Sequence, residues 1–131
     1  MSDAGLIVLE RLRQAAPVTE LVGTRIALSR LPEGTRYPAV VCHALTDRPE
    51  YALPGVEMVR SARVQIDVIS ATMGELALIR SAVRLALLTT TPTTAGGATL
   101  LRCYEVLAGQ IDPYGDTGYW REPVDYTLIY Q

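Results

Sequence analysis

The chain has 131 residues, a mass of 14.3 kDa, and 12 basic against 14 acidic side chains, for a net charge of −2 and a pI near 5.3. That is the size of one domain with a real core, spanning residues 1–131, and too little chain for two. The near balance of charge excludes general nucleic-acid binding, which needs surplus cations to displace phosphate counterions, and a chain 49% apolar and 20% charged is globular, not disordered.

The N-terminal "MSDAGLIVLERLR" has an acidic residue before a very short apolar run, broken at Glu10 and Arg11. It lacks the basic start and long apolar stretch of a signal peptide, and no segment has the length to span a membrane, so synthesis in a cytoplasm is expected. Ser2 or Asp3 can cap a helix over residues 4–16, with Leu6, Leu9, Leu12 and Ala16 along one face. Pro17 breaks that pattern, and "VTELVG" adds one more turn that Gly23 can close in the left-handed conformation.

Strand-like segments follow. "TRIALSRL" is a short one, and "YPAVVCHALT", apolar on both faces, reads as a central strand. Residues 47–60, "DRPEYALPGVEMVR", form a loop too long for a simple connection, and Tyr51, Leu53, Val56 and Met58 are unusual in a merely solvated one. A proline-stiffened apolar arm reaching to a neighbouring subunit fits them better. In "SARVQIDVIS", Val64, Ile66 and Val68 alternate with Arg63, Gln65 and Asp67, so one side of the sheet is dry and the other polar.

"TMGE" (residues 72–75) is a capping box that opens a second helix with Leu76, Ile79, Val83 and Leu87 as its inner stripe. Leu78, Leu85 and Leu88 lie outside that stripe, which hints at a partner surface. "TTTPTTAGG" (residues 89–97) reads as a loop, "TLLRCYEVLA" as a strand and "PVDYTLIYQ" as the last strand, with Val124, Tyr126, Leu128 and Tyr130 on one face. The order predicts an α+β fold: two main helices on one face of a mostly antiparallel, possibly mixed sheet, with a long loop or hairpin arm. The strand–helix–strand stretch over residues 63–108 could supply one parallel pairing.

Chemistry is sparse. All twelve basic residues are arginine, which excludes a P-loop or Schiff-base lysine. Cys42 and Cys103 form no CxxC pair and read as buried small hydrophobes. His43 is the lone histidine; as strand neighbours, Cys42 and His43 point to opposite faces and make no nucleophile pair. Asp67 and Asp125 share the polar face, and Glu105 joins them if its strand is in register, but no motif builds a pocket around them. "DPYGDTGYW" lacks the ligand spacing and final glutamate of an EF-hand, while its Asp-Pro, Gly-Asp and Thr-Gly steps make a long hairpin turn. Its Tyr114, Tyr119 and Trp120, with Arg121, are the residue types of binding hot spots; they either roof the core or grip a partner. The residues point to no enzyme, cofactor or metal.

The order of these pieces carries a resemblance. "ELVGTRI", "YPAVVCHAL", "PEYALPG", "ARVQIDVISATMGELALIRSAVRLAL" and "DPYGDTGYWREPVDYTLIY" together resemble the small tail-completion, or tail-terminator, proteins of long-tailed bacteriophages and related gene-transfer particles. The resemblance spans nearly the whole chain and rests on order and spacing, since no single motif is diagnostic. It implies a virion tail protein, assembled in the bacterial host cytoplasm, that closes into a homohexameric ring. Such a ring sits on the last ring of tail tube protein, halts tube growth and offers its other face to the head–tail connector. Genome DNA passes through the hole without specific binding, and no membrane, catalysis or cofactor is implied. Candidate subunit contacts are then Arg48, Tyr51, Leu53, Val56, Met58 and Arg60 in the arm, and Tyr114, Tyr119, Trp120 and Arg121 in the aromatic hairpin. Arg63, Asp67 and Asp125 either line the hole or face a neighbour. The competing expectations are a head-side stopper or adaptor and a small ligand-binding α+β module.

Overall fold

A computed structural model describes residues 3–50 and 59–131. Helices α1 (Ala4–Gln14) and α2 (Ala16–Val22) lead into strands β1 (Ile26–Leu28), β2 (Ala39–Glu50) and β3 (Val59–Ser70). Helix α3 (Met73–Leu87) follows, then β4 (Thr93–Ala95), β5 (Ala98–Ala108), β6 (Asp112–Pro113) and β7 (Trp120–Tyr130). The strands form one sheet in the order β1-β2-β3-β7-β5-β4, with β6 adding to the start of β7. All pairings are antiparallel except β1 with β2. The fold is α+β as expected.

The helical region departs from the expected single helix over residues 4–16. Pro17 has no N–H to offer the carbonyl four residues back and its ring clashes there, so α1 stops at Gln14 and the proline sits in the first turn of α2. Asp3 caps α1, its Oδ1 accepting from the Leu6 N–H at 2.9 Å. The buried stripe of α1 is Ala4, Ile7, Val8 and Leu12, not the Leu6–Leu9–Leu12 row; Leu6 is exposed and Leu9 lies at the rim. Gly23 ends α2 at φ +60° and ψ −130°, a pair open to glycine and outside the left-handed helical well.

The expected alternation holds along the two central strands. Ala62, Val64, Ile66 and Val68 of β3 and Val124, Tyr126, Leu128 and Tyr130 of β7 are buried on the helix side. α3 closes over them with Leu76, Ile79, Val83 and Leu87, each contributing about 1.5–3 kcal/mol by burial. Its cap is a relay: Thr72 Oγ1 accepts from the Glu75 N–H, while the Glu75 carboxylate takes the Ser70 hydroxyl at 2.5 Å instead of returning to Thr72.

Three expectations fail in the strands. The parallel pair is β1–β2; β3 and β5 run in the same direction but β7 lies between them, each pairing it antiparallel. The 47–60 loop shrinks, because β2 runs on to Glu50 and β3 begins at Val59 as a registered hairpin. The threonine stretch hides β4, joined to β5 by Gly96-Gly97 at φ +58° and +77°, the positive values that a two-residue hairpin turn demands. That turn is pressed against α1. A Cβ on Gly96 would stand 2.9 Å from both Cα and N of Ile7, and the Gly96 N–H donates to the Glu10 carboxylate.

Two outcomes follow from this packing. Gly96→Ala is expected to lower the unfolding free energy by about 3 kcal/mol, from the backbone strain plus the clash with α1. Gly115→Ala has a similar φ of +56° with open space around it, and should cost only about 1 kcal/mol in the same urea titration. The second outcome concerns alkaline pH. Burial pushes the Cys42 and Cys103 thiols from 9.0 up to about 12. Both groups are held neutral in the fold, so their contribution is intact below pH 9 and lost as pH rises towards 12. Urea midpoints measured from pH 7 to 11 should hold level to about pH 9 and then fall, and the fall just above pH 9 should flatten in a Cys42→Ala/Cys103→Ala double variant.

Candidate functional site

The candidate residues divide between the two ends of the sheet. At one end lies the root of the β2–β3 hairpin. Arg48 is exposed and pairs with Glu50 at 3.3 Å. Arg60 Nε donates to Asp47 Oδ1 at 2.8 Å, and the Tyr130 hydroxyl donates to the other oxygen of the same carboxylate. Burial first, then the bond to Asp47, pushes the Tyr130 phenol up to about 12. This three-residue knot ties the hairpin root to the last strand. Tyr51, Leu53, Val56 and Met58 lie outside the described residues.

At the opposite end, the aromatic hairpin folds over the outer sheet face. Tyr119 packs on Tyr37 with ring centroids 4.4 Å apart, and Tyr114 meets Tyr37 edge-on at 6.0 Å. Burial, followed by Tyr114, raises the Tyr37 phenol above its ordinary value. Trp120 is half-buried against the edge of the core. In this chain these aromatics therefore roof one end of the sheet, with part of each ring still in solvent. Arg60 pairs with Tyr130 and Ile69 with Arg121, so nine residues of β3, roughly 30 Å, separate the two groups.

Between them the outer face is laced by cross-strand pairs. Arg63 reaches Asp125 at 3.1 Å. Asp67 is only 4% exposed and gathers His43 Nε2 at 3.1 Å, Gln65 Nε2 at 2.8 Å and Arg121 at 3.5 Å. A cleft of about 170 Å³ opens beside it, bordered by Arg30, Tyr114 and Arg121. His43 is thus a satisfied structural residue, and Cys42 points into the core on the other face. Glu105 does not join Asp67 and Asp125: it pairs in register with Tyr126 on the helix side and meets Arg84 at 3.3 Å. Asp112 and Asp116 stay exposed on the turn, and among the described residues no three His, Cys, Asp or Glu side chains gather to hold a metal.

The residue pattern also hid several features. Glu122 shares the inward register of Val124 and Tyr126, is 3% exposed, and receives Arg80 Nη1 on both oxygens at 2.9 and 3.0 Å. Its parity on the strand was the available signal. Tyr37 had none, since only the folded loop brings it to the hairpin. Leu78 and Leu85 of α3 and Leu88 at its C-cap are exposed, leaving a greasy strip on the helix's far side. A groove of about 580 Å³ lies between α1 and β1, with Leu9, Leu28 and Leu31 among its apolar walls.

Removing one member of the buried pair tests how far it holds α3 to the sheet. Arg80→Met leaves Glu122 charged without a partner and should cost about 3 kcal/mol by urea unfolding. Arg80→Met with Glu122→Leu should recover most of that loss, since an apolar pair of similar size suits the site.

The chain matches the protein family described as Tail completion protein gp17 over residues 7–131. A chain of a solved structure titled "Virion of native gene transfer agent (GTA) particle" is 18% identical and superposes with a TM-score of 0.69, over 94% of this chain and 90% of that one. A second solved structure, 12% identical, superposes with a TM-score of 0.61 over 91% of this chain and 88% of the other. These two likenesses show the shared fold. A comparison with curated protein sequences gives no match.

Proposed function

The chain belongs to the Tail completion protein gp17 family, and from that premise we propose that it closes into a hexameric ring on the last ring of tail tube protein, ends tube growth and joins the tail to the head connector. Tail completion proteins are structural components of the virion tail and not enzymes. The terminator role fits the way the surfaces are distributed. A ring needs two different patches on one body, because a head-to-tail contact can close at a fixed copy number. The hairpin root with Arg48 and Arg60 stands at one end of the sheet, and Tyr114, Tyr119, Trp120 and Arg121 stand at the other, with the leucine strip of α3 on a third side. This separation of patches on one rigid sheet is the observation that carries the reading.

The outer sheet face suits the wall of a hole that passes DNA. Two of its arginines are answered in place, Arg63 by Asp125 and Arg121 by Asp67, and Arg102 lies against the Tyr104 ring, which lowers the free cationic charge available there to hold phosphates. Arg63 and Asp125 are the lining pair on this reading, while Asp67 lies beneath and positions His43 and Arg121.

Deleting the gene should give particles with overlong tubes or tails without heads, seen by negative-stain electron microscopy, and supplying the protein in trans should restore tail length. Tails of normal length on joined heads would sink the proposal. Tails of normal length left unjoined would assign the chain to the head-side neck instead. A gold label on the wild-type protein should mark the tube end that faces the head.

A further inference from the structure

The sheet ends in two half-open margins. β4 covers β5 only over Ala98–Leu100, and Thr89 takes both backbone groups of Cys103, at 3.1 and 3.0 Å. From Tyr104 to Ala108 no described strand lies on that side of β5. At the other margin β1 covers β2 only from Val40 to Cys42, and no described strand flanks β2 from His43 onward. Sheets that stay single blunt such edges with lysine, proline or outward charge. The open run of β5 has no such guard: Tyr104, Val106 and Leu107 are exposed, and its one charge, Glu105, is drawn back to Arg84 at 3.3 Å. On β2, Leu45 is exposed as well.

The two openings match in height and in phase. Register carries Glu105 to Tyr126, Tyr126 to Val64 and Val64 to Ala44, so Glu105 and Ala44 stand level on opposite margins. Rotation about an axis that runs along the strands keeps that level, and so brings these two residues together between neighbours. Cys103 turns its N–H and C=O to the β5 margin, and Cys42 turns its C=O to the β2 margin, where it accepts from the Ser29 N–H at 2.8 Å. Backbone direction repeats every second residue, so Glu105 and Ala44 also face off their margins. Strand direction agrees too. β2 runs with β7 and against β5, which makes β5 antiparallel to the β2 of a next copy. We propose that β5 of one copy adds to β2 of the next, with Glu105 and Ala44 exchanging both backbone hydrogen bonds and Leu45 closing on Tyr104 and Val106. This rests on the ring reading and gives that ring a contact between unlike edges, one on each side of the subunit.

The test uses assembled particles. Within one copy Ala44 and Glu105 lie three strand spacings apart, roughly 14 Å, whereas a disulfide needs Cα atoms within about 7 Å. Particles carrying Ala44→Cys with Glu105→Cys should, on mild oxidation, give a reducible ladder at multiples of the chain mass up to six, and neither single variant should give one. Separately, Glu105→Pro takes a backbone donor from the open margin. It should melt as the wild type does by circular dichroism yet fall about tenfold in particles, while Glu105→Gln, which keeps the donor, stays near the wild-type amount. No ladder, a ladder in the single variants, or a folded Glu105→Pro chain present at the wild-type amount would overturn the pairing; if Glu105→Pro does not fold, the ladder decides. A missing ladder with the gold label still at the head-facing tube end leaves the terminator reading standing without this contact. A ladder from particles whose label lies elsewhere keeps the contact and removes the terminator reading.

Discussion

The β3–β7 ladder governs the rest of the molecule. Eleven registered pairs run from Arg60 with Tyr130 to Ser70 with Trp120, and the pleat sends every second residue of both strands to the same side. On that side Val64, Ile66, Tyr126 and Leu128 must be kept from water, so α3 has to lie across them. A slip of one residue would present Arg63, Gln65 and Asp125 to the helix and the valines to solvent, which fixes the register firmly. Glu122 is a buried charge in the inward row, and Arg80 of α3 meets it there. The buried pair adds little net stability compared with an apolar one. It does single out one position of α3 along the sheet, because any shift along the helix axis strands a charge.

The same alternation explains what the residues revealed and what they withheld. Where one face is apolar and the next polar over a long run, as in "RVQIDV" or "VDYTLIY", strand and inward face could be read directly. The inner stripe of α3 and its threonine cap were legible for the same reason, since both depend on spacing within one element. Pairing between distant strands was not. Nothing local says that β7 inserts between β3 and β5, or that β1 joins β2 in parallel. The threonine stretch misled because Thr93–Ala95 is a three-residue edge strand whose signal is its Gly-Gly turn, not its own pattern. In α1, the leucines at positions 6 and 9 outweighed the smaller Ala4, Ile7 and Val8 that meet the sheet.

The candidate surfaces were half legible. Arg48, Arg60, Tyr114, Tyr119, Trp120 and Arg121 were singled out by residue type, and the fold sorts them into two distant groups that sequence spacing does not reveal. Tyr37 and the α1–β1 groove exist only after folding, because they are assembled from segments that neither strand nor helix periodicity connects. Asp67 had the right face but not the expected exposure: the loop after β1 and the aromatic hairpin both fold over it.

A head-to-tail contact that turns by the wrong angle makes a filament, and one that turns by the right angle makes a closed ring. On the reading proposed here the angle must therefore be built into the subunit, and the long strands are what hold it. Asp47 takes both Arg60 and Tyr130, so the root of the β2–β3 pair is locked to β7. The α1 side is locked as well: Gly96 meets Ile7 at α1, and β1 is stitched to β2 from Ile26 to Leu28. The hairpin root and the α1 side thus stand on one continuous sheet.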